Sequence, residues 1–172
     1  MLLTVIIPAY NEEGNILELN KRLINTLKDI DYELIYINDG STDKTLEKIK
    51  SLNDERIKYI SFSNNFGKES AIYAGIKHSS GKYTCIIDAD LQQNPKYIIS
   101  MLNYLKKNED VDQIAMVMKN RDKESLFNRI SKNIFYKLIN RLSDIKLVDG
   151  ASDFRMFNEI VKKAILSLPE KN

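Results

Sequence analysis

Two aspartates, Asp88 and Asp90, follow an apolar run at the point where a strand is expected to end. The run, residues 83–87, begins after Gly81 and is rich in β-prone residues, which is typical of a buried strand. Side chains two positions apart in an extended segment point the same way, so both carboxylates can bind one cation. Gln92 adds a neutral oxygen two residues further on. Such hard oxygen ligands suit Mg²⁺ or Mn²⁺ that carries a phosphate group. The alternative is a surface turn with solvated aspartates.

The composition is that of one globular domain in a reducing, cytoplasmic compartment. The chain has 172 residues, 43% hydrophobic and 29% charged, which is enough for a sizeable core. A net charge of +2 gives no general attraction to nucleic acid, and no apolar run approaches the about 20 residues that span a bilayer. The single cysteine, Cys85, lies in the expected buried strand, so a disulfide is not predicted. The single histidine, His78, has no Cys or His companions, which disfavours a zinc site.

Apolar runs alternate with helical repeats along the first two thirds of the chain. Strands are predicted at residues 2–7, 34–37, 57–62 and 83–87, and helices at 16–30, 46–52, 70–79 and 95–106. Pro8 is expected to end the first strand, and Asn11 and Asp43 to cap the first two helices. This alternation with short loops predicts an α/β fold, in which helices cover both faces of a mostly parallel sheet.

Polar residues follow every one of these strands, and the ends of parallel strands meet at one edge of a sheet. The residues expected to line one crevice there are Tyr10, Glu12, Asp39, Lys68, Asp88 and Asp90. The first strand is not followed by Gly-x-Gly-x-x-Gly, and the chain contains no Gly-x-x-x-x-Gly-Lys-Ser/Thr. A dinucleotide-binding Rossmann site and a P-loop are therefore disfavoured, and a bound nucleotide would need a metal to carry its charge.

Four ordered segments resemble glycosyltransferase family 2. They are residues 4–13 (TVIIPAYNEE), 38–43 (NDGSTD), 65–68 (NFGK) and 88–92 (DADLQ). Gln92, together with residues 153–156 (DFRM), is most similar to the group of dolichyl- or undecaprenyl-phosphate sugar synthases. The resemblance covers essentially the whole chain. It implies a single catalytic domain, residues 1–172, with the Rossmann-like GT-A fold that binds nucleotide-sugars.

The resemblance implies that the nucleotide of a sugar donor is bordered by Pro8, Tyr10, Glu12, Asp39, Asp88 and Ala89. It implies that Mg²⁺ or Mn²⁺ is held by Asp88, Asp90 and Gln92. Asp39 would accept a hydrogen bond from the base, Tyr10 would stack on it, and Lys68 would neutralise phosphate. Simpler alternatives stay open: Asn-Asp-Gly-Ser is also a plain turn, and an aromatic residue after a strand is often core. A lysine can be solvated, and Glu12 can simply favour a helix N-terminus.

The second half of the chain is less regular. An apolar run at residues 112–118 predicts a further strand, and a helical repeat of apolar residues follows at 126–142. Basic residues are interspersed up to residue 146, so this helix would suit the surface of an anionic membrane. The favoured alternatives are an ordinary amphipathic helix that closes the domain, or a contact in a homodimer.

Asp153 and Arg155 stand where the family places the acceptor side of its site. If the acceptor is a glycan hydroxyl, an inverting transfer needs a carboxylate to remove its proton, and Asp153 is the candidate base. If the acceptor is a polyprenyl phosphate, it is already ionised, because a phosphate monoester loses its second proton at about pH 6. Arg121 or Arg155 would then position the lipid phosphate, and Asp153 would orient Arg155 or cap a turn.

Two features depart from the resembled enzymes. Met118 stands where they usually carry an arginine, at the end of the fifth strand. The chain stops at Asn172, whereas they continue with further acceptor-side segments. The chain is therefore expected to be truncated, with a nucleotide-sugar-binding half at residues 1–110 and the start of an acceptor-side half at 111–172.

The leading hypothesis is a metal-dependent, inverting glycosyltransferase at the cytoplasmic face of a membrane. It would move a sugar from a UDP- or GDP-sugar to a polyprenyl phosphate. A second hypothesis is a non-catalytic nucleotide-sugar-binding or dimerising fragment of such an enzyme. A receiver-type signalling domain is disfavoured, because Pro8, Ala9 and Tyr10 occupy the place where it needs an acidic pair.

Overall fold

A computed structural model describes residues 1–117 and 151–167 of the chain. The strands in these residues are β1 (Leu3–Ala9), β2 (Tyr32–Asn38), β3 (Ile57–Ser61), β4 (Tyr83–Ile86), β5 (Gln113–Val117) and β6 (Ala151–Asn158). The helices are α1 (Ile16–Leu27), α2 (Thr45–Lys50), α3 (Lys68–His78), α4 (Lys96–Lys107) and α5 (Glu159–Leu166). The strands and helices predicted up to residue 117 are confirmed, with ends that differ by at most three residues.

The strands form one mixed sheet in the order β3-β2-β1-β4-β6-β5. β1 to β4 run parallel, as their alternation with helices predicts, and β6 runs antiparallel to both β4 and β5. The sequence does not predict β6, because this strand carries charged residues at Asp153 and Arg155 and pairs with segments far away in the chain. The expected mostly parallel sheet is confirmed, and β6 is its antiparallel addition.

Helices cover both faces of the sheet, so β1 and β2 are buried along their whole length. Val5 and Ile7 of β1 belong to one apolar cluster with α1 and α4, whereas Ile6 belongs to another with α3 and α5. The alternation of side chains along a strand produces this division. Gly75 lets α3 lie close to the sheet, because a Cβ there would be 2.5 Å from Cγ2 of Ile6.

Two of the predicted boundaries are wrong. Pro8 does not end β1, which continues to Ala9. Pro8 lies beyond Ile6, the last β1 residue that pairs with β4, so its missing N–H leaves no bond open on that side. Asn11 does not cap α1, which begins only at Ile16, and its backbone is left-handed with φ 55°. The hydrogen bonds of Asn11 instead join its loop to the loop that follows β2.

The predicted cap of α2 is close to what is observed. One carboxylate oxygen of Asp43 accepts a hydrogen bond of 2.9 Å from the backbone N–H of Thr45, the first residue of the helix. Met118, Arg121 and the basic helical repeat up to residue 146 lie outside the described residues. In residues 1–117 and 151–167, no helix has both the length and the apolarity needed to cross a bilayer.

Candidate active site

A crevice of about 300 Å³ lies at the carboxyl edge of the parallel strands. It is lined by the ends of β1, β2 and β4 and by the start of α3, namely Pro8, Ala9, Tyr10, Glu12, Asp39, Asn65, Gly67, Lys68, Ala71, Asp88, Ala89 and Asp90. Every residue assigned to the nucleotide from the sequence is in this set, as are both aspartates assigned to the metal. Gln92, Asp153 and Arg155 are outside it.

Reciprocal hydrogen bonds join the loops that follow β1 and β2. Oδ1 of Asn11 accepts from the N–H of Thr42 (2.9 Å), and the N–H of Glu12 donates to Oγ1 of Thr45 (2.7 Å). These bonds stabilise the left-handed backbone of Asn11, which an isolated turn would disfavour. They also hold the backbone beside Tyr10, whose side chain is 45% exposed at the crevice. The alternative that Tyr10 is a core residue is therefore wrong.

Three further residues shape the crevice wall. Oε2 of Glu12 accepts a hydrogen bond of 2.6 Å from Nδ2 of Asn15, beside the start of α1. Glu12 thus lies where a carboxylate favours a helix N-terminus, and it also lines the crevice. Pro8 and the buried Ala89 contribute the wall at the ends of β1 and β4.

Asp39 organises the loop that follows β3. It is only 3% exposed, and its carboxylate accepts from the N–H groups of Phe66 (2.8 Å) and Gly67 (3.0 Å). Gly40 lets this loop come close, since its φ is 65° and a Cβ would lie 2.3 Å from the carbonyl carbon of Asn64. Each carboxylate oxygen of Asp39 has a second lone pair, so a ligand in the crevice can still donate to it.

Lys68 lies between two carboxylates. Its Nζ is 2.5 Å from Oδ1 of Asp88 and 2.9 Å from Oδ2 of Asp153. Nη2 of Arg155 is 3.2 Å from Oδ1 of Asp153. Asp88 and Asp153 come together because Ile86 of β4 pairs with Arg155 of β6, and antiparallel pairing brings the residues two positions away to the same level. The predicted orientation of Arg155 by Asp153 agrees with this contact.

The environment of Lys68 keeps its ammonium group charged. Burial alone would lower the pKa of Lys68, but attraction to Asp88 and Asp153 outweighs burial and raises the pKa above its ordinary value. The side chain is 36% exposed and contacts both carboxylates, so it is not the simply solvated lysine of the alternative interpretation.

Asp90 and Gln92 belong to a tight turn after β4. Oδ1 of Asp90 accepts a hydrogen bond of 3.0 Å from the backbone N–H of Gln92. Leu91 between them has a left-handed backbone, with φ 62°. Gln92 is exposed, whereas Asp88 and Asp90 both line the crevice. The structure therefore brings together two of the three residues predicted to hold a metal.

Four carboxylates line the crevice, and Asp88 and Asp90 are the two of them that were predicted to hold a divalent cation. Among the described residues, no group of three or more His, Cys, Asp or Glu could hold a metal ion. Mg²⁺ and Mn²⁺ need no such cage, because one or two carboxylates with phosphate oxygens and water can complete their coordination. Asp88 and Asp90 therefore fit a cation that is shared with a diphosphate. The ammonium of Lys68 beside Asp88 shows that this position attracts positive charge.

Sequence reasoning missed Gln93, which contacts Asp88 through both its amide oxygen and its amide nitrogen. Gln93 is buried and the adjacent Gln92 is exposed, although the two residue types are the same. The turn at Leu91 decides which glutamine is directed back to Asp88. A left-handed leucine has no signature in the sequence, so no local pattern distinguishes the two glutamines.

A solved structure with the same architecture is glucosyl-3-phosphoglycerate synthase from Mycobacterium tuberculosis, in complex with Mn²⁺, UDP-glucose and phosphoglyceric acid. It matches with a TM-score of 0.61 at 19% identity, over 93% of this chain and 57% of that chain. At this identity the likeness shows the fold alone. The mixed sheet with helices on both faces defines a domain of the GT-A type.

The chain belongs to glycosyl transferase family 2, whose family model matches residues 4–165. It is 38% identical to an uncharacterized glycosyltransferase of Synechocystis sp., over 98% of this chain and 54% of that protein. It is 34% identical to the bactoprenol glucosyl transferase of Shigella phage SfV, over 100% of this chain and 57% of that protein. The chain thus spans about half the length of the curated relatives it matches. The predicted family is confirmed, and its relatives include this bactoprenol glucosyl transferase.

Proposed function

We propose that this chain is the donor-binding part of a metal-dependent, inverting glycosyltransferase. This glycosyltransferase transfers a sugar from a UDP- or GDP-sugar to a polyprenyl phosphate at the cytoplasmic face of a membrane. The observation that carries this proposal is that Asp88 and Asp90 line the same crevice as Asp39 and Tyr10. The relative named bactoprenol glucosyl transferase supports the acceptor. The neighbour solved with Mn²⁺ and UDP-glucose supports a uridine donor and a divalent cation.

The donor is held by groups at two ends of the crevice. At one end, Tyr10 stacks on the base, and Asp39 accepts a hydrogen bond from a base N–H. Stacking of a base on an aromatic ring contributes about 1–3 kcal/mol. At the other end, Asp88 and Asp90 would hold the divalent cation, with Gln92 as the predicted third ligand. When bound, this cation supplies Lewis-acid stabilisation of the departing nucleoside diphosphate.

In the transfer, an acceptor oxygen forms a bond to the anomeric carbon of the sugar from the face opposite the diphosphate. The bond between that carbon and the β-phosphate oxygen breaks, and its electron pair leaves with the nucleoside diphosphate. The configuration at the carbon is therefore inverted. A polyprenyl phosphate brings an oxygen that is already ionised near neutral pH, so the protein need not remove a proton.

The partners of Asp153 favour this ionised acceptor. Its carboxylate is 2.9 Å from Nζ of Lys68 and 3.2 Å from Nη2 of Arg155. Both contacts are ion pairs, which use the charged form of the carboxylate. Asp153 therefore positions Lys68 and Arg155, and it acts as a base only if the acceptor is a hydroxyl. Arg155 is only 6% exposed and acts through Asp153, whereas Arg121 stays a predicted ligand of the lipid phosphate.

Calorimetric titration of the chain with UDP-glucose and GDP-glucose, in Mn²⁺ and in EDTA, tests the proposal. We expect Mn²⁺ to strengthen the binding of one donor. Asp90→Ala should remove this gain. The donor affinity in Mn²⁺ should fall by more than the about tenfold to hundredfold that follows mutation of outer partners of metal ligands. Asp29→Ala changes an exposed aspartate that does not line the crevice and serves as the matched control. An unchanged affinity of Asp90→Ala in Mn²⁺ would contradict the site.

A transfer assay with undecaprenyl phosphate tests the acceptor separately. A radioactive donor should label the lipid, and the sugar in the product should have the configuration opposite to that in the donor. Labelling of a glycan hydroxyl with no labelling of the lipid would overturn the proposed acceptor. That outcome would return Asp153 to the role of base.

A further inference from the structure

A buried glutamine, Gln93, is hydrogen-bonded to Asp88, one of the two aspartates that are proposed to hold the cation. Gln93 is 5% exposed. Its Oε1 accepts a hydrogen bond of 3.0 Å from the backbone N–H of Asp88, and its Nε2 donates one of 2.8 Å to Oδ2 of the same residue. Both ends of the amide are thus used on Asp88. Burial of an unsatisfied amide is costly, so this pairing offsets the cost of placing Gln93 inside the protein.

The backbone of the preceding turn has an unusual conformation that makes this contact possible. Leu91 has φ 62°, in a region that side chains with a Cβ disfavour. The turn sends Gln92 to the surface and returns Gln93 to Asp88. A strained residue and a buried amide therefore converge on one carboxylate. Strain of this kind is concentrated at functional sites, where the surrounding structure maintains it.

The bonds to Gln93 fix Oδ2 of Asp88 and leave Oδ1 directed to Lys68 at the crevice. Oδ2 accepts from Gln93, and Oδ1 is 2.5 Å from the ammonium of Lys68 at the crevice. The side chain cannot rotate about its carboxyl axis without breaking the bond to Gln93. Asp88 is therefore prepared to offer a single oxygen to a cation. Small cations such as Mg²⁺ and Mn²⁺ demand near-ideal octahedral geometry, which such one-oxygen contacts to carboxylates allow.

We infer that Gln93 is a positioning residue for the donor site, and that it holds Asp88 so that Oδ1 would face the cation that carries the diphosphate. This inference rests on the proposed function. It assigns the role to the amide of Gln93, which both accepts from the Asp88 N–H and donates to Oδ2. A glutamate at position 93 would keep the first bond, lose the second and place a negative charge against Asp88.

The test compares Gln93→Glu and Gln93→Met with Asn94→Ala. Oδ1 of Asn94 accepts a hydrogen bond of 3.0 Å from the N–H of Lys96 at the start of α4, and no bond joins Asn94 to Asp88. Asn94→Ala therefore removes an amide of the same turn that serves only the helix. The readouts are the thermal midpoint without metal and the ratio of UDP affinity in Mn²⁺ to that in EDTA.

We expect both Gln93 variants to lower this ratio by about tenfold to a hundredfold, as mutation of outer partners of metal ligands typically does, with their affinity in EDTA unchanged. Asn94→Ala should lower the thermal midpoint and leave the ratio unchanged. Gln93 variants that lose stability but keep the wild-type ratio would overturn the inference, and the amide would then only stabilise the turn. Gln93→Met adds no charge, which keeps the comparison available if the added carboxylate of Gln93→Glu prevents folding.

The wild-type measurement distinguishes failure of the proposed donor site from failure of the role of Gln93. If Mn²⁺ does not strengthen UDP binding by the wild-type chain, the proposed metal-dependent donor site fails and the role of Gln93 fails with it. If Mn²⁺ strengthens binding equally in the wild type and in both Gln93 variants, only the role of Gln93 is overturned.

Discussion

The two edges of the sheet each hold a carboxylate paired with a lysine, but only one edge is open. At the amino edge, the side chain of Glu33 in β2 is 1% exposed. Its Oε1 accepts from Oγ1 of Thr4 and from both the N–H and the Oγ of Ser80, each at 2.7 Å. Its Oε2 accepts from Nζ of Lys58, also at 2.7 Å. The protein itself therefore fills the lone pairs of this carboxylate.

At the carboxyl edge, the same groups are arranged around a crevice. The side chains of Asp88 and Asp153 are 22% and 23% exposed, and they share the ammonium of Lys68. A carboxylate that the chain encloses serves stability, since any change of partner leaves a buried group unsatisfied. A carboxylate beside open space can exchange a lysine for a ligand. Both edges pair a carboxylate with a lysine, so the difference that matters between them is enclosure.

Loss of the enclosed carboxylate should have the largest effect. Glu33→Ala leaves the buried donors of Thr4 and Ser80 without their acceptor and should lower the free energy of unfolding by about 3 kcal/mol. Asp153→Asn is isosteric, and water reaches 23% of the Asp153 side chain, so its cost should stay below about 1 kcal/mol. Urea unfolding followed by circular dichroism measures both. Equal costs would remove the distinction between the edges.

The pH dependence of stability sharpens the same contrast. Burial would raise the pKa of Glu33, but hydrogen bonds from Lys58, Ser80 and Thr4 lower it from 4.5 to about 2. A carboxyl whose pKa is lowered by folding adds stability above its unfolded pKa, and this contribution is lost as the pH falls through the folded pKa. The urea concentration at the unfolding midpoint of the wild type should therefore decrease as the pH is lowered from 4.5 to about 2. Glu33→Gln should be less stable at neutral pH and show a weaker fall, whereas an equally steep fall would assign the effect to other carboxyls.

The sequence predicts the open edge better than the enclosed one. Asp39, Asp88 and Asp90 stand directly after apolar runs, and parallel strands bring such positions to one edge whatever the details of packing. Glu33 stands inside a strand, where a charged residue usually faces solvent. Its burial depends on Ser80, which lies 47 residues further along the chain, and no local pattern reveals that contact.

The acceptor side shows the same limit. The family resemblance assigns Asp153 to the acceptor side of the site. Its contact with Lys68 depends on the pairing of β6 with β4, and the sequence does not predict β6. Gln93 was missed because the conformation of Leu91, rather than the residue type, distinguishes it from Gln92. Residues placed by strand ends are thus predictable from the sequence. Residues placed by long-range pairing or by a strained turn are not.

Exchange of partners at the open edge can be tested with two matched lysines. Oδ1 of Asp88 is 2.5 Å from Nζ of Lys68, so a divalent cation that takes this oxygen must displace the ammonium. Two charges 4 Å apart interact by about 4 kcal/mol near a protein surface. Lys68 is long and partly exposed and can move aside, which reduces the effect to about 1 kcal/mol. Lys68→Met should therefore bind Mn²⁺ without nucleotide about fivefold more tightly than the wild type.

Lys58→Met is the control, because it breaks a lysine–carboxylate contact of 2.7 Å at the enclosed edge. It should leave the affinity for Mn²⁺ unchanged, since Glu33 also accepts from Thr4 and Ser80 and lies away from the crevice. Titration of Mn²⁺ followed by the electron paramagnetic resonance signal of the free ion measures each affinity. A Lys68→Met protein that binds Mn²⁺ as weakly as the wild type would show that Lys68 and the cation do not compete. The open carboxylates would then be as fixed in their partners as Glu33, and enclosure would not be what separates the two edges.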